Sequence, residues 1–170
     1  MLRPIAAALL VAAAGAQAQD RNPLIDYAGF QQLTRDVSGY RSTRLLRWEE
    51  FERAAREPGT LILDARSADA YAAGHISGAV NLPFTDFTAA SLERVIGSKG
   101  RPILIYCNNN FANNQPPVET KAVRLALNIQ TFINLVGYGY ADVRELNEVV
   151  DFNDPKIGWV TGRTPDGDAA

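Results

Sequence analysis

The chain of 170 residues contains only one cysteine, one histidine and one methionine. A single cysteine excludes an internal disulfide, and one cysteine with one histidine cannot make a convincing zinc site. Acidic and basic residues nearly balance, with a formal net charge of −2. The sequence therefore lacks the basic surface that nucleic-acid binding requires. We expect a protein that uses no metal, no cofactor and no nucleic acid.

Long hydrophobic runs are also missing. The longest, at the amino terminus, extends only from Ile5 to Ala14, whereas a helix that spans a bilayer needs about 20 apolar residues. Arg3 before this run and the sequence Ala-Gln-Ala ending at Ala18 are typical of a cleaved secretory signal. The prediction is a signal peptide over residues 1–18, export to the periplasm, and no membrane span after cleavage.

The remaining sequence has the composition of one globular domain, with 46% hydrophobic and 21% charged residues. Short apolar runs predict strands at residues 60–63, 79–82, 102–106 and 143–146. Helical spacing of apolar residues predicts helices at residues 27–39, 43–55, 69–73, 86–96 and 118–128, with residues 129–136 either continuing the last one or forming another helix. Strands that alternate with helices predict an α/β domain with a mostly parallel sheet and helices on both faces.

Local signals predict where several helices begin and end. Gly39 is expected to end the first helix and Thr43 to cap the second. Pro116 and Pro117 are expected at the start of the helix over residues 118–128, where proline is tolerated. The predicted division is a signal peptide (1–18), a helical extension (19–42), the α/β domain (43–150) and a carboxyl-terminal tail (151–170).

The single cysteine, Cys107, follows the most hydrophobic predicted strand and opens a polar, uncharged loop, CNNNFANNQPP. In parallel sheets, chemistry lies beyond the carboxyl ends of the strands. Backbone N–H groups in such a loop, or at the start of the next helix, lower a thiol pKa and bind anions. Asparagine tolerates the left-handed backbone that an N–H cradle needs. The alternative is a buried, inert cysteine beside a surface turn.

A second segment resembles a known family. Leu63-Asp64-Ala65-Arg66, followed by YAAGHISGAVNLP at residues 71–83, is similar to the signature of rhodanese-like domains. The resemblance runs from about Leu45 to Leu146 and implies a rhodanese-like α/β fold with about five mostly parallel strands flanked by helices on both faces. It also implies sulfur transfer, in which Cys107 takes a sulfane sulfur from a donor, holds it as a persulfide and passes it to a thiol or cyanide.

The loop departs from the family pattern because it is long and contains no arginine. Its first following cations are Lys121 and Arg124, beyond the two prolines. A fixed guanidinium holds oxyanions in a bidentate manner, so its absence places thiosulfate in doubt as the natural donor. The same absence disfavours phosphatase or arsenate reductase chemistry.

The predicted site has Cys107 as its nucleophile, with loop and supporting residues around it. The cradle candidates are Asn108, Asn109, Asn110, Phe111, Ala112, Asn113 and Lys121. Phe111 either caps the pocket or anchors the loop in the core, and Lys121 either reaches the substrate or stays solvated. Asp64 and Arg66 are expected to form an ion pair or orient the loop, with direct catalysis as the alternative. His75 is expected to hold a structural turn, with a catalytic base or metal ligand as the alternative.

Three functions remain open at this point. The first is an exported sulfurtransferase or persulfide carrier that acts on a small sulfur donor, a thiol or cyanide acceptor and, in one version, a partner protein. The second is a rhodanese-like binding module without turnover, which the missing loop arginine favours. The third is a thiol redox sensor, which would need an external thiol because the chain has no second cysteine.

Overall fold

The computed structural model describes residues 22–162. The predicted signal peptide and the end of the predicted tail, residues 163–170, lie outside the described residues. The centre of the fold is a five-stranded parallel sheet. Its strands are β1 (Leu45–Leu46), β2 (Leu61–Asp64), β4 (Ala79–Asn81), β5 (Ile103–Tyr106) and β6 (Val143–Leu146). Their order across the sheet is β1-β6-β5-β2-β4. Two further strands, β3 (His75–Ile76) and β7 (Trp159–Val160), pair antiparallel.

Helices cover both faces of the sheet, which confirms the predicted α/β class. They are α1 (Tyr27–Ser42), α2 (Trp48–Ala55), α3 (Ala68–Ala73), α4 (Ala89–Ile96) and α5 (Leu127–Gly137). One core lies between the sheet and α2, and the other lies between the sheet, α4 and α5. Helix α1 packs on α5. None of the helices within residues 22–162 has the length and hydrophobicity that crossing a membrane requires.

The alternation of side chains along β5 divides its residues between the two cores. Leu104 and Tyr106 belong to the core under α2, whereas Ile103 and Ile105 belong to the core under α5. Both faces are buried, so the strand is continuously hydrophobic, as parallel central strands are. This alternation decides which side of the sheet the next residue, Cys107, can reach.

The boundary between the first two helices differs from the prediction. Helix α1 continues through Gly39 to Ser42 because its last turn is held by tertiary contacts, including Tyr40 against Phe132. Thr43 does not cap α2, which begins after Arg47. Leu45 and Leu46 instead form the edge strand β1, since β6 offers them backbone hydrogen-bonding partners. The helical spacing that included Leu45 was therefore misleading.

The helix predicted over residues 118–128 is wrong. Residues 118–126 are irregular apart from one 3₁₀ turn, Val123–Leu125, and the α-helix begins only at Leu127. Side chains of the loop asparagines form hydrogen bonds with the backbone of this segment. Asn109 Oδ1 accepts from the Lys121 N–H at 3.0 Å, and Asn114 Oδ1 accepts from the Thr120 N–H at 3.0 Å. Such bonds compete with helical hydrogen bonding.

Candidate active site

Cys107 lies on the side of the sheet that carries α5. Its backbone is extended and continues the alternation of β5, so its side chain points away from the side that Tyr106 faces. The residue is only 1% exposed. The thiol is thus placed by the strand, beneath the first turn of α5.

Three backbone N–H groups near Cys107 Sγ stabilise its charged form. One belongs to Asn109 in the loop, and the other two belong to Leu127 and Asn128 in the first turn of α5. A helix amino terminus supplies unpaired N–H groups and partial positive charge, both of which favour an anionic sulfur. Two of the three N–H groups belong to the helix and only one to the loop, so the helix contributes more to the surroundings of the sulfur than the loop does.

Burial raises the pKa of the Cys107 thiol, and the negative charge of Glu145 adds to this increase. The N–H groups of Asn128, Asn109 and Leu127 lower the pKa but do not offset burial. The expected lowering of the pKa is therefore wrong for the unliganded site. At neutral pH the thiol form predominates, and the cradle acts on the fraction that ionises.

A cleft of about 290 Å³, which we call the thiol cleft, lies between the cysteine loop, the start of α5, the end of β6 and α1. Cys107 and Asn128 lie in its wall, with Arg41, Glu145 and Glu148 as its charged lining. Among the described residues that line it, Arg41 is the only cation. The thiol cleft thus contains one positive and two negative side chains.

Arg41 and Glu145 form a bidentate ion pair in the thiol cleft. Arg41 Nε donates to Glu145 Oε2 at 2.7 Å, and Arg41 Nη2 donates to Glu145 Oε1 at 2.6 Å. The sequence reasoning missed both residues. Glu145 could have been identified as a candidate, because its strand was predicted and parallel strands end at one edge of the sheet. No sequence signal connected Arg41, in the N-terminal extension, with the cysteine.

Asn110 fastens the cysteine loop to its surroundings. Its Oδ1 accepts from the Cys107 N–H at 2.9 Å and from Asn128 Nδ2 at 3.0 Å. Its Nδ2 donates to the backbone carbonyls of Leu146 and Glu148, at 2.8 and 3.1 Å. One buried side chain therefore joins the loop, α5 and the end of β6. Asn128 Oδ1, also buried, accepts no hydrogen bond within the described part of the chain.

The other predicted loop asparagines hold neighbouring backbone rather than face the sulfur with their side chains. Asn108 Nδ2 donates to the Glu119 carbonyl at 3.0 Å, and Asn109 Nδ2 donates to the Lys121 carbonyl at 2.8 Å. Asn113 Nδ2 donates to Asp151 Oδ1 at 2.7 Å. The expected left-handed backbone occurs at none of them. Among residues 22–162, Asn114 is the only residue other than glycine with a positive φ, 41°.

The remaining loop candidates lie away from the thiol. Phe111 is buried against Tyr106 and Trp159, with ring centroids 5.9 and 4.9 Å apart, so it anchors the loop in the core. Ala112 is exposed, and its N–H donates to the Val150 carbonyl. Lys121 lies on a separate cleft of about 610 Å³, together with Arg66. The thiol cleft does not include Lys121 among its lining residues.

Asp64 and Arg66 form the expected ion pair, on the opposite side of the sheet from Cys107. Arg66 Nη2 lies 2.5 Å from Asp64 Oδ2 and also donates to the Gly74 carbonyl at 2.8 Å. The Tyr106 hydroxyl donates to Asp64 Oδ2 at 2.5 Å. Burial raises the pKa of Tyr106 well above its ordinary value, and the charge of Asp64 raises it further. We call these three residues the Asp64 cluster.

His75 lies near the Asp64 cluster and not in the thiol cleft. Its ring is buried, stacks on Tyr71 at 3.7 Å and has Nδ1 2.8 Å from the Tyr71 carbonyl oxygen. Strand β3, which contains His75, pairs with β7. These contacts agree with a structural turn. Within residues 22–162, no three His, Cys, Asp or Glu side chains gather into a group able to hold a metal ion.

The family follows from a comparison with known domains. A model of the rhodanese-like domain matches residues 47–148. The chain belongs to the rhodanese-like domain family. The matched region contains Asp64, Cys107 and Glu145, but it begins after helix α1. Arg41 is therefore contributed from outside the matched rhodanese-like region.

Several solved structures are similar to this chain. The rhodanese-like domain of the Alr3790 protein from Anabaena sp. is 21% identical over 75% of this chain and 88% of that chain, with a TM-score of 0.50. Another Alr3790 structure is 26% identical over 53% of this chain and 58% of that chain, with a TM-score of 0.37. A thiosulfate sulfurtransferase from Pseudomonas aeruginosa is 18% identical over 79% of this chain and 23% of that chain, with a TM-score of 0.49. No curated protein matches the chain.

Proposed function

We propose that this rhodanese-like protein is a sulfurtransferase or persulfide carrier that uses Cys107 as its nucleophile. Membership of the family supports sulfur-transfer chemistry. The observation that carries the proposal is the set of three N–H groups, from Asn109, Leu127 and Asn128, around Cys107 Sγ. These donors stabilise a thiolate before transfer and the anionic outer sulfur of a persulfide after it.

Two displacements account for the transfer. The Cys107 thiolate attacks the outer sulfur of the donor, the donor's bond to that sulfur breaks, and the remainder of the donor leaves with the electron pair. An acceptor thiolate or cyanide then attacks the outer sulfur of the Cys107 persulfide and restores the Cys107 thiolate. Splitting the reaction in this way removes the need for donor and acceptor to meet. Asn110 binds both Cys107 and Asn128, so it keeps the sulfur next to the start of α5 during both steps.

A binding module without turnover is the second candidate. The raised pKa of Cys107 and the absence of a cation in the cysteine loop favour it, because both weaken thiolate chemistry on an anionic donor. In that case the asparagine-rich cysteine loop would recognise a partner without exchanging sulfur. A redox sensor is a weaker alternative, since it requires an external thiol to resolve an oxidised Cys107.

We further propose that the protein acts after export, in the periplasm. The supporting observation is the amino-terminal pattern of Arg3, an apolar run and a small-residue cleavage sequence ending at Ala18. The expected partners are a small sulfur donor and a thiol or cyanide acceptor, free or carried by a protein. Mass spectrometry of the protein from a periplasmic fraction should find a chain that begins at Gln19. An intact amino terminus in the cytoplasmic fraction would contradict export.

Intact-mass spectrometry tests the sulfurtransferase proposal. The mature protein is incubated with thiosulfate and, separately, with an inorganic polysulfide, beside a Cys107→Ser control. We expect one added sulfur atom on the wild-type chain, none on the control, and its release as thiocyanate on addition of cyanide. A free thiol that gains no sulfur from either donor, or from an organic persulfide, would favour the binding module.

A further inference from the structure

We propose that the thiol cleft receives an organic persulfide that carries a carboxylate, and that Arg41 binds this carboxylate. The inference rests on the proposed sulfur-transfer function and specifies its donor. Arg41 belongs to α1 and lies outside the region that the family model matches. It thus supplies, from a different element, the guanidinium that the cysteine loop does not contain.

The hydrogen bonds of Arg41 leave one edge of its guanidinium available. Nε and Nη2 are engaged by Glu145, but Nη1 donates to no group among residues 22–162. The Arg41 side chain is 29% exposed, whereas that of Glu145 is 5% exposed. A ligand in the cleft can therefore reach the guanidinium while its buried counter-ion holds it in place. A planar carboxylate fits such a fixed edge through charge-assisted hydrogen bonds and adds only one negative charge.

The charge of the thiol cleft disfavours a compact dianion such as thiosulfate. Glu145 neutralises Arg41, and Glu148, which is only 3.9 Å from the exposed Arg47, adds a further negative charge to the lining. The field of Glu145 already opposes negative charge on the Cys107 sulfur. A single carboxylate, held away from the reacting sulfur by an organic chain, meets less repulsion than two charges on one small ion.

The apolar part of the cleft suits the body of an organic donor. Val123 and Val149 line the cleft and are 80% and 63% exposed. Ile129 adds a third branched aliphatic side chain to the same lining. With a volume of about 290 Å³, the cleft is at the lower limit of small-molecule sites, which favours a donor of amino-acid size.

The loading step is balanced for a persulfide R–S–S–H. The Cys107 thiolate attacks the outer sulfur of the donor. A bond forms between Cys107 Sγ and this outer sulfur, and the bond between the two sulfurs of the donor breaks. The donor leaves as R–S⁻ and takes a proton from water. The outer sulfur keeps its hydrogen as Cys107–S–S–H, which can ionise against the N–H groups of α5.

A pair of matched donors tests the inference, namely the persulfides of 3-mercaptopropionate and of its methyl ester. The rate of sulfur loading on the mature protein is followed by intact mass against donor concentration. We expect the wild type to load the acid with a KM about tenfold lower than the ester, since a charge-assisted hydrogen bond supplies about this much. We also expect faster loading from the acid than from thiosulfate.

The decisive variant is Arg41→Gln combined with Glu145→Gln, which removes both charges and leaves no buried carboxylate unpaired. The tenfold preference for the acid should fall to about one, because its binding group is gone. Arg44→Gln is the matched control: Arg44 follows α1 and pairs with Asp142 outside the cleft, so this variant should keep the preference.

The outcomes separate the inference from the proposed function. Equal loading of acid and ester by the wild type, or a preference that survives in the double variant, would overturn the inference and leave Arg41 as only the counter-ion of Glu145. In both cases sulfur transfer itself would stand. Absence of loading from every donor would instead overturn the proposed function, and the inference with it.

Discussion

The Asp64 cluster and the thiol cleft lie at the ends of the neighbouring strands β2 and β5, on opposite sides of one sheet. In the Asp64 cluster, the charges of Asp64 and Arg66 pair with each other and Tyr106 completes the hydrogen bonding. In the thiol cleft, the described residues leave groups without partners, including Arg41 Nη1 and Asn128 Oδ1. The two regions therefore differ in how far their hydrogen bonds are satisfied.

That difference separates a structural role from a chemical one. A buried, fully satisfied network is rigid and has no capacity left for a ligand. A buried nucleophile beside an available guanidinium edge and an unpartnered amide oxygen has capacity for one. The family signature emphasises Asp64 and Arg66, yet the structure assigns them to holding the strand end while the thiol faces the other way.

The largest effect should follow from breaking the Asp64 cluster. Asp64→Ala leaves the buried Arg66 charge without its partner and should lower the free energy of unfolding by about 3–5 kcal/mol. Urea denaturation followed by circular dichroism measures the change. Glu52→Gln, which breaks the exposed pair with Arg56 on α2, is the control and should cost less than about 1 kcal/mol. Similar losses for the two variants would contradict the assignment.

A smaller effect, on both stability and sulfur loading, is expected when Asn110, which joins the cysteine loop to α5, is replaced. Asn110→Ala leaves the Cys107 N–H and the Leu146 carbonyl without their side-chain partner. The free energy of unfolding should fall by about 3 kcal/mol, since several buried groups lose their hydrogen bonds together. Sulfur loading at saturating donor should also slow, because α5 no longer holds its N–H groups over the sulfur.

Thermal unfolding and the maximal loading rate measure these two consequences. Asn113→Ala is a suitable control, because Asn113 lies on the cysteine loop but bonds the exposed Asp151 and does not line the thiol cleft. Its loading rate should equal that of the wild type. Equal loss of loading in the two variants would mean that general loop order, and not the link to α5, governs the reaction.

The smallest effect concerns the charge on Glu145. Burial and this carboxylate raise the pKa of Cys107, so the rate of thiol alkylation should still rise with pH above about 8.5, the ordinary thiol value. Glu145→Gln removes the repulsion, lowers the pKa and should make alkylation a few-fold faster at pH 7. Alkylation of Cys107 by iodoacetamide, a neutral reagent, from pH 6 to 10 measures both. An unchanged profile would exclude a field of Glu145 at the sulfur.

The sequence predicted the central strands well because their apolar runs are continuous and bounded by Gly, Pro or charged residues. It failed where side chains compete with the helix backbone, as in residues 118–126, and where two residues join a sheet edge, as at Leu45–Leu46. Cys107 was placed correctly at a strand end. The helix amino terminus over it was predicted nine residues too early, at Val118 rather than Leu127, so its true N–H donors were not identified.

By itself, the sequence determined the α/β class, the family and the single thiol at the end of β5, since each depends on local pattern. Only the tertiary structure decided what faces the sulfur. Side-chain alternation sends Tyr106 to one side of the sheet and Cys107 to the other, where α5 and the Arg41–Glu145 pair meet it. Arg41 and Glu145 are 104 positions apart, and their contact arises because α1 packs on α5 and β6 pairs beside β5, which no local signal encodes.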